Sequence, residues 1–234
     1  AYDIEINFED KLLQKLATYA FAENTGARGL VSAVEKALLE YERILPSADI
    51  KKFPATASIL ESPQASIKAL TAPDQEQKTN ELFNRLLQQE KESIREYLKS
   101  NKTNLAVKYS LTLTKSRIDL VAACYVNSTM DIGNVIKKIK SYYDEIKKIE
   151  LYFFKNHDIN IVLEEDAIVF IIEQLVESFV EISIIEEKIN QDFQHGLKLA
   201  REKTGRNRFF ITRQALMDPE EYIGNLIKDK LEPL

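Results

Sequence analysis

The sequence predicts a mainly α fold with short β strands (α+β), in which a β-α-α-β unit is followed by a helical insertion and a second, degenerate copy of the unit. Three observations predict it. Only six glycines and six prolines punctuate 234 residues, and good helix formers dominate between them. Apolar residues recur mostly at three- and four-residue spacing, with period-two alternation confined to short runs. Residues 2–20 also match residues 157–175 in one register, which marks an internal repeat.

The first strand is expected over residues 3–8, where Ile4, Ile6 and Phe8 alternate with polar residues and define a buried face. Glu9 and Asp10 then place negative charge at a helix start, and Leu12, Leu13, Leu16, Ala17 and Ala20 recur at helical spacing up to about residue 23. A second helix begins near Gly29, carries Leu30, Val34, Leu38, Tyr41 and Leu45 on its apolar stripe, and stops at Pro46. Lys52–Leu60 reads as a strand, at an edge because Pro54 lacks a donor. The unit so defined spans residues 1–63. Residues 64–74, rich in Ser, Pro, Gln and Ala, read as a linker.

Residues 75–156 are expected to form the helical insertion. A charged helix over 75–100 has a narrow apolar stripe containing Leu82, Phe83, Leu86, Leu87, Ile94 and Leu98. Residues 103–130 are expected to be helical throughout, although SLTLT alternates like a strand, because no hairpin turn follows it. Asp131 is a candidate cap for a further helix whose lysines, 137, 138, 140, 147 and 148, form a basic face. That face is a solvated helix surface or a contact for an acidic partner. The second unit, residues 157–234, aligns Asp3, Ile4, Ile6 and Glu9 with Asp158, Ile159, Ile161 and Glu164. After a shift of one residue it aligns Phe53, Thr56, Leu60 and Pro63 with Phe209, Thr212, Leu216 and Pro219.

The most informative short stretch is Thr25–Leu30, TGARGL, at the junction of the first two helices. Glycine adopts backbone conformations closed to other residues, so Gly26 can end the first helix and Gly29 can admit a ligand close to the backbone. Arg28 would then stand at a helix N-terminus, where free N–H groups and the helix dipole welcome an anion. The same pattern is also that of a solvated arginine after a turn glycine. The run AENTGARGLVSAVEKALLEYERILPS, residues 22–47, resembles the C-terminal small subdomain of the AAA+ unfoldases of the ClpX and HslU type, and the resemblance covers roughly residues 2–63. In that family a Gly-Ala-Arg motif opening a helix is the sensor-2 element. The resemblance implies that Gly26, Ala27, Arg28 and Gly29 bind the phosphates of ATP, with Arg28 as the principal contact, and that the magnesium ligands lie outside this chain. It further implies a hexameric full-length ATP hydrolase acting in protein unfolding, with a protein substrate and a peptidase as partners. The second unit has Ser183 and Ile184 where Arg28 stands and is expected to lack this function.

Other chemistry is not marked. There is no G-x-x-x-x-G-K-[ST] run, so this chain alone is expected to be inactive as an ATPase. INIVLEED, residues 159–166, has an apolar strand ending in acids, which a helix start accounts for without magnesium. His157 and His195 show no metal-ligand spacing, and Arg206 and Arg208 read as a charged turn. A net charge of −5 argues against nucleic acid as a partner. The single Cys124 fits a reducing cytoplasm, and no run approaches the roughly 20 apolar residues of a membrane span. A start at Ala1 directly in a strand-like pattern is what a fragment of a longer polypeptide would show. The alternative to an ATPase fragment is a non-catalytic helical adaptor or assembly scaffold with an AAA-type small-domain fold.

Overall fold

The short strand at Glu5–Phe8 (β1) and the helices Asp10–Ala22 (α1) and Ala27–Ile44 (α2) open the chain in a computed structural model that describes residues 4–22, 26–72, 75–178 and 180–228. A single 3-10 turn over Pro46–Ala48 and a left-handed Asp49 (φ 54°) lead to Lys52–Ala55 (β2), which pairs with β1 in parallel. Parallel pairing follows from the two-helix crossover, which returns the chain to the end of the sheet from which it started. Short helices over Ser58–Glu61 (α3) and Pro63–Thr71 (α4) and the long Glu76–Ser100 (α5) follow. The chain divides into two units, residues 1–92 and 93–234.

The core of the first unit joins Leu12 and Leu16 of α1, Leu38 and Tyr41 of α2, Leu45, and Phe53 and Ala55 of β2. Tyr41 stacks on Phe53 with ring centroids 5.0 Å apart. Three expectations are corrected here. Ile6 is 37% exposed, and the buried residue of β1 is Asn7, whose Nδ2 donates to the Phe83 carbonyl at 3.3 Å. The second strand ends at Ala55, because Glu9 Oε2 accepts from the Ala57 N–H (2.8 Å) and turns the chain into α3. The linker expected over 64–74 is largely α4: Pro63 occupies a first-turn position where its missing N–H costs nothing, and Ile67 is buried. Residues 73 and 74 lie outside the described residues, as do Ala1–Asp3 and Glu23–Thr25.

In the second unit, Lys102–Tyr109 (α6), Lys115–Val126 (α7) and Ile132–His157 (α8) precede Asn160–Leu163 (β3), Glu165–Glu177 (α9), Ile182–Thr204 (α10), Arg208–Ile211 (β4), Arg213–Met217 (α11) and Pro219–Lys228 (α12). The single helix expected over 103–130 is broken. Ser110 turns left-handed (φ 52°), Leu111 and Leu113 are buried from an extended stretch, and Thr114 caps α7 by accepting from the Arg117 N–H at 3.2 Å. Asp131 caps α8 as its position predicts, accepting from the Asn134 N–H at 3.0 Å. One hydrophobic cluster runs from Leu98 through α7 and α8 to Ala215, so the boundary drawn at 156/157 falls inside a shared core.

The strand–helix–helix–strand order occurs twice, and the correspondence is quantitative. β3 and β4 pair in parallel with Ile161 opposite Phe209, as Ile6 is opposite Phe53. The left-handed Gly205 (φ 73°) precedes β4 by the same three residues that separate Asp49 from β2. An acid at the start of the first helix ties down the turn after the second strand in both units. Asp166 Oδ2 accepts from the Arg213 N–H at 3.0 Å, as Glu9 does from Ala57. Among the described residues, no helix is long and apolar enough to cross a membrane.

Candidate functional site

At the α1–α2 junction the backbone, more than any side chain, sets the geometry. Gly26 is the N-cap of α2 with φ 63° and ψ −138°, a region that disfavours residues with a Cβ. A Cβ there would meet nothing within 4 Å, so backbone conformation, not crowding, is what asks for glycine. The sequence reading assigned Gly26 to the end of the first helix; it opens the second instead. The Gly29 N–H donates to the Gly26 carbonyl at 3.0 Å, and Gly29 is buried while Arg28 is exposed.

Two features make this end of α2 receptive to negative charge. The N-cap is a glycine with no side chain to cap the helix, and among the described residues the first turn contains no carboxylate, so N–H groups of the first turn have no intrahelical partner. Among the described residues, none pairs with Arg28 through a hydrogen bond or ion pair. A guanidinium is a planar fork of donors suited to phosphate oxygens. Of the four residues expected at the site, Gly26, Arg28 and Gly29 are described on this one turn; Ala27 is placed as the first residue of α2, and Thr25 lies outside the described residues.

The corresponding turn of the second unit lacks the arginine. Helix α10 opens at Ile182 behind Glu181, and Ile184 stands exposed where α2 carries Arg28. Two of the three acids of INIVLEED, Glu165 and Asp166, are engaged in structure. Asp166 caps Arg213 and its own neighbour Ala167. Glu165 accepts from Arg117 Nε and Nη2 (2.9 Å each), Tyr143 Oη (2.9 Å) and Thr114 Oγ1 (3.1 Å). Burial works to raise the Glu165 carboxyl, but the hydrogen bonds from Arg117 and Tyr143 win and hold it below the usual carboxylate range. On α8, Lys140 pairs with Asp144 and Lys147 with Glu150, while Lys138 lies over the Tyr142 ring, so three of the five lysines of the basic face have partners on their own helix.

A second feature was not marked in the sequence. A cleft of about 340 Å³ opens beside the middle of α2, lined by Tyr19, Ala33, Ala37, Glu40, Ile59 and Leu60 among others. Alanines on an apolar stripe read as core, and only the packing around them reveals an open space. Compared with known proteins, the chain matches no protein-family model and no solved structure.

Proposed function

We propose that this chain is the C-terminal portion of a ClpX-like AAA+ ATPase that remodels proteins, and that its first unit is the small subdomain that supplies the sensor-2 arginine. The observation that carries the reading is the start of α2, where, among the described residues, a glycine-opened first turn without carboxylates presents Arg28 with no hydrogen-bond or ion-pair partner. The parallel β-α-α-β frame around it and the Gly-Ala-Arg sequence support the same reading. ATP, with magnesium held by residues outside this chain, would supply the free energy for remodelling. Arg28 would bind its phosphate oxygens and the first-turn N–H groups of α2 would add fixed dipoles. Loss of the end phosphate removes the charge that Arg28 holds, so the first unit is released from one nucleotide state to the other. Neighbouring subunits of a homo-hexamer would receive that movement, and a protein substrate, with or without a peptidase, is what the machine would act on.

The test is Arg28→Ala in the full-length protein. ATP turnover, or its coupling to substrate unfolding, is expected to collapse, with Arg28→Lys intermediate because a point charge replaces a planar fork. Unchanged turnover and unchanged substrate processing would refute the assignment.

A second reading is favoured by the second unit. It keeps the strand register and both helices but carries Ile184 in place of the arginine, within a larger helical core. That is the arrangement of a non-catalytic adaptor or assembly scaffold. If the full-length protein contains no phosphate-binding loop, this reading replaces the first.

A further inference from the structure

The two units share a frame but differ in what fills it. From the left-handed residue onward, positions correspond at a constant separation, so that Asp49 matches Gly205, Phe53 matches Phe209 and Ala57 matches Arg213. Carried back along the helices, the same separation matches Ala33, Ala37 and Glu40 of α2 with Ile189, Phe193 and Gly196 of α10. In the second unit this face is filled. Ile189 and Phe193 are buried, and α12 lies along α10 with the Tyr222 ring edge-on to Phe193 at 6.2 Å between centroids. Gly196 is what lets α12 come so close: a Cβ there would stand 2.3 Å from Ile223.

In the first unit the same positions are two alanines and a glutamate, and they line the open cleft. Helix α4 starts at Pro63 as α12 starts at Pro219, but it carries Ser66 where α12 carries Tyr222. It meets α2 through its first turn, where Tyr41 Oη donates to the Pro63 carbonyl and Gln64 Nε2 to Glu40. The aromatic pair that closes the second unit is therefore replaced by a pair of small residues, Ala37 and Ser66. The volume left is that of a site for large apolar side chains.

We infer that this cleft is a docking groove for an amphipathic helix of a partner protein, which inserts an aromatic side chain and the aliphatic residue beside it. The chemistry of the occupant is given by the second unit, whose own frame receives Tyr222 and Ile223 from such a helix at the matching positions.

The test uses a helix-stapled peptide with the α12 sequence, Met217–Lys228, labelled for fluorescence anisotropy and titrated with the whole chain. Saturable binding is expected. Ala37→Phe in the protein, which installs the residue of the second unit and fills the groove, should weaken it by roughly tenfold or more, as should Tyr222→Ala in the peptide. Ala33→Ile is the second filling variant, and a cooperative thermal transition for either one shows that the fold has survived. Gly196→Val, which obstructs the seat of α12 itself, should leave binding unchanged. Absence of saturable binding, binding that survives both filling variants, or binding lost in Gly196→Val would each overturn the inference. So would a concentration-dependent dimer of the chain that Ala37→Phe dissociates, because the occupant would then be a second copy.

Discussion

Replacing Glu165 by alanine tests how the second unit is locked together. The carboxylate joins three segments: Thr114 and Arg117 at the start of α7, Tyr143 in the middle of α8, and the first turn of α9, where Glu165 itself lies. Arg117 is further fixed by its Nη1 donating to the Thr112 carbonyl (2.8 Å) and by the Tyr143 ring 4.3 Å below its guanidinium. Removing one partner of a buried ion pair costs about 3–5 kcal/mol, because the other charge is left desolvated. Here the side chains of Arg117 and Glu165 are 18% and 34% exposed, so water takes over part of the lost contact and the figure falls to about 2 kcal/mol. For a chain of this size that is a drop of about 4–8 °C in the midpoint of thermal unfolding, read by circular dichroism at neutral pH. The sign with pH is also fixed. The folded-state pKa of Glu165 is depressed, so its contribution is present above the ordinary carboxylate range and disappears as pH falls through the folded value. The difference between wild type and Glu165→Ala should therefore narrow on acidification. Tyr143→Phe, which removes one donor, should lose about 1 kcal/mol. A midpoint shift under about 1 °C for Glu165→Ala at neutral pH, or a difference that grows in acid, would refute this account of the cluster.

Two further outcomes follow from positions already described. Asp49 and Gly205 hold the same left-handed turn with different residues, so Asp49→Gly should stabilise the first unit, and Gly205→Ala destabilise the second, by about 1 kcal/mol each; urea titration followed by hydrogen exchange in each unit would measure both. Burial pushes the Cys124 thiol up to about 11, so its reaction with a chromogenic disulfide at pH 8 should be slow in the native chain and fast in denaturant, and equal rates would show that it is accessible.

Much of the frame was legible in the sequence because it rests on local rules. The Asp131 cap, the stop at Pro46 and the two strand–helix–helix–strand stretches each follow from a periodicity or a turn residue within a few positions. The misreadings have a common physical origin in contacts made far along the chain. Ile6 and Asn7 exchange roles because the Phe83 carbonyl, 76 residues away, gives Asn7 a partner. SLTLT breaks a helix because Leu111 and Leu113 both find a place in the core from an extended backbone. The Glu165 cluster draws on residues 22 to 51 positions away, and its only local sign is an acid in the first turn of a helix. At the candidate site, Gly26 and Arg28 stood out from the sequence, whereas the cleft did not. Ala33 belongs to the core, and Ala37 differs from a core alanine only in what fails to pack against it.

The internal repeat turns that failure to pack into information. Two units with the same strand register, the same left-handed turn and the same acid-to-backbone tie differ in sequence at most positions, and the differences that face the cleft and open the second helix are the informative ones. The second unit places Ile189, Phe193, Tyr222 and Ile223 where the first has Ala33, Ala37, Ser66 and Ile67, and it carries Ile184 where the first has Arg28. Three of these four packing positions hold less volume in the first unit, the fourth is isoleucine in both, and the change at Arg28 gives the first unit an exposed cation at a helix start opened by glycine. A unit under selection for stability alone would close the cleft by restoring the large side chains, since filling such a space contributes stability without altering the frame. The open cleft and the exposed arginine at the second helix start occur together in the first unit, whereas the second unit has the matching face filled and Ile184 in place of the arginine. The joint variant Arg28→Ala with Ala37→Phe separates the two features. On the proposed reading the arginine bears on turnover or its coupling and the cleft on peptide binding, and independent sites on one rigid helix should give additive effects on each readout.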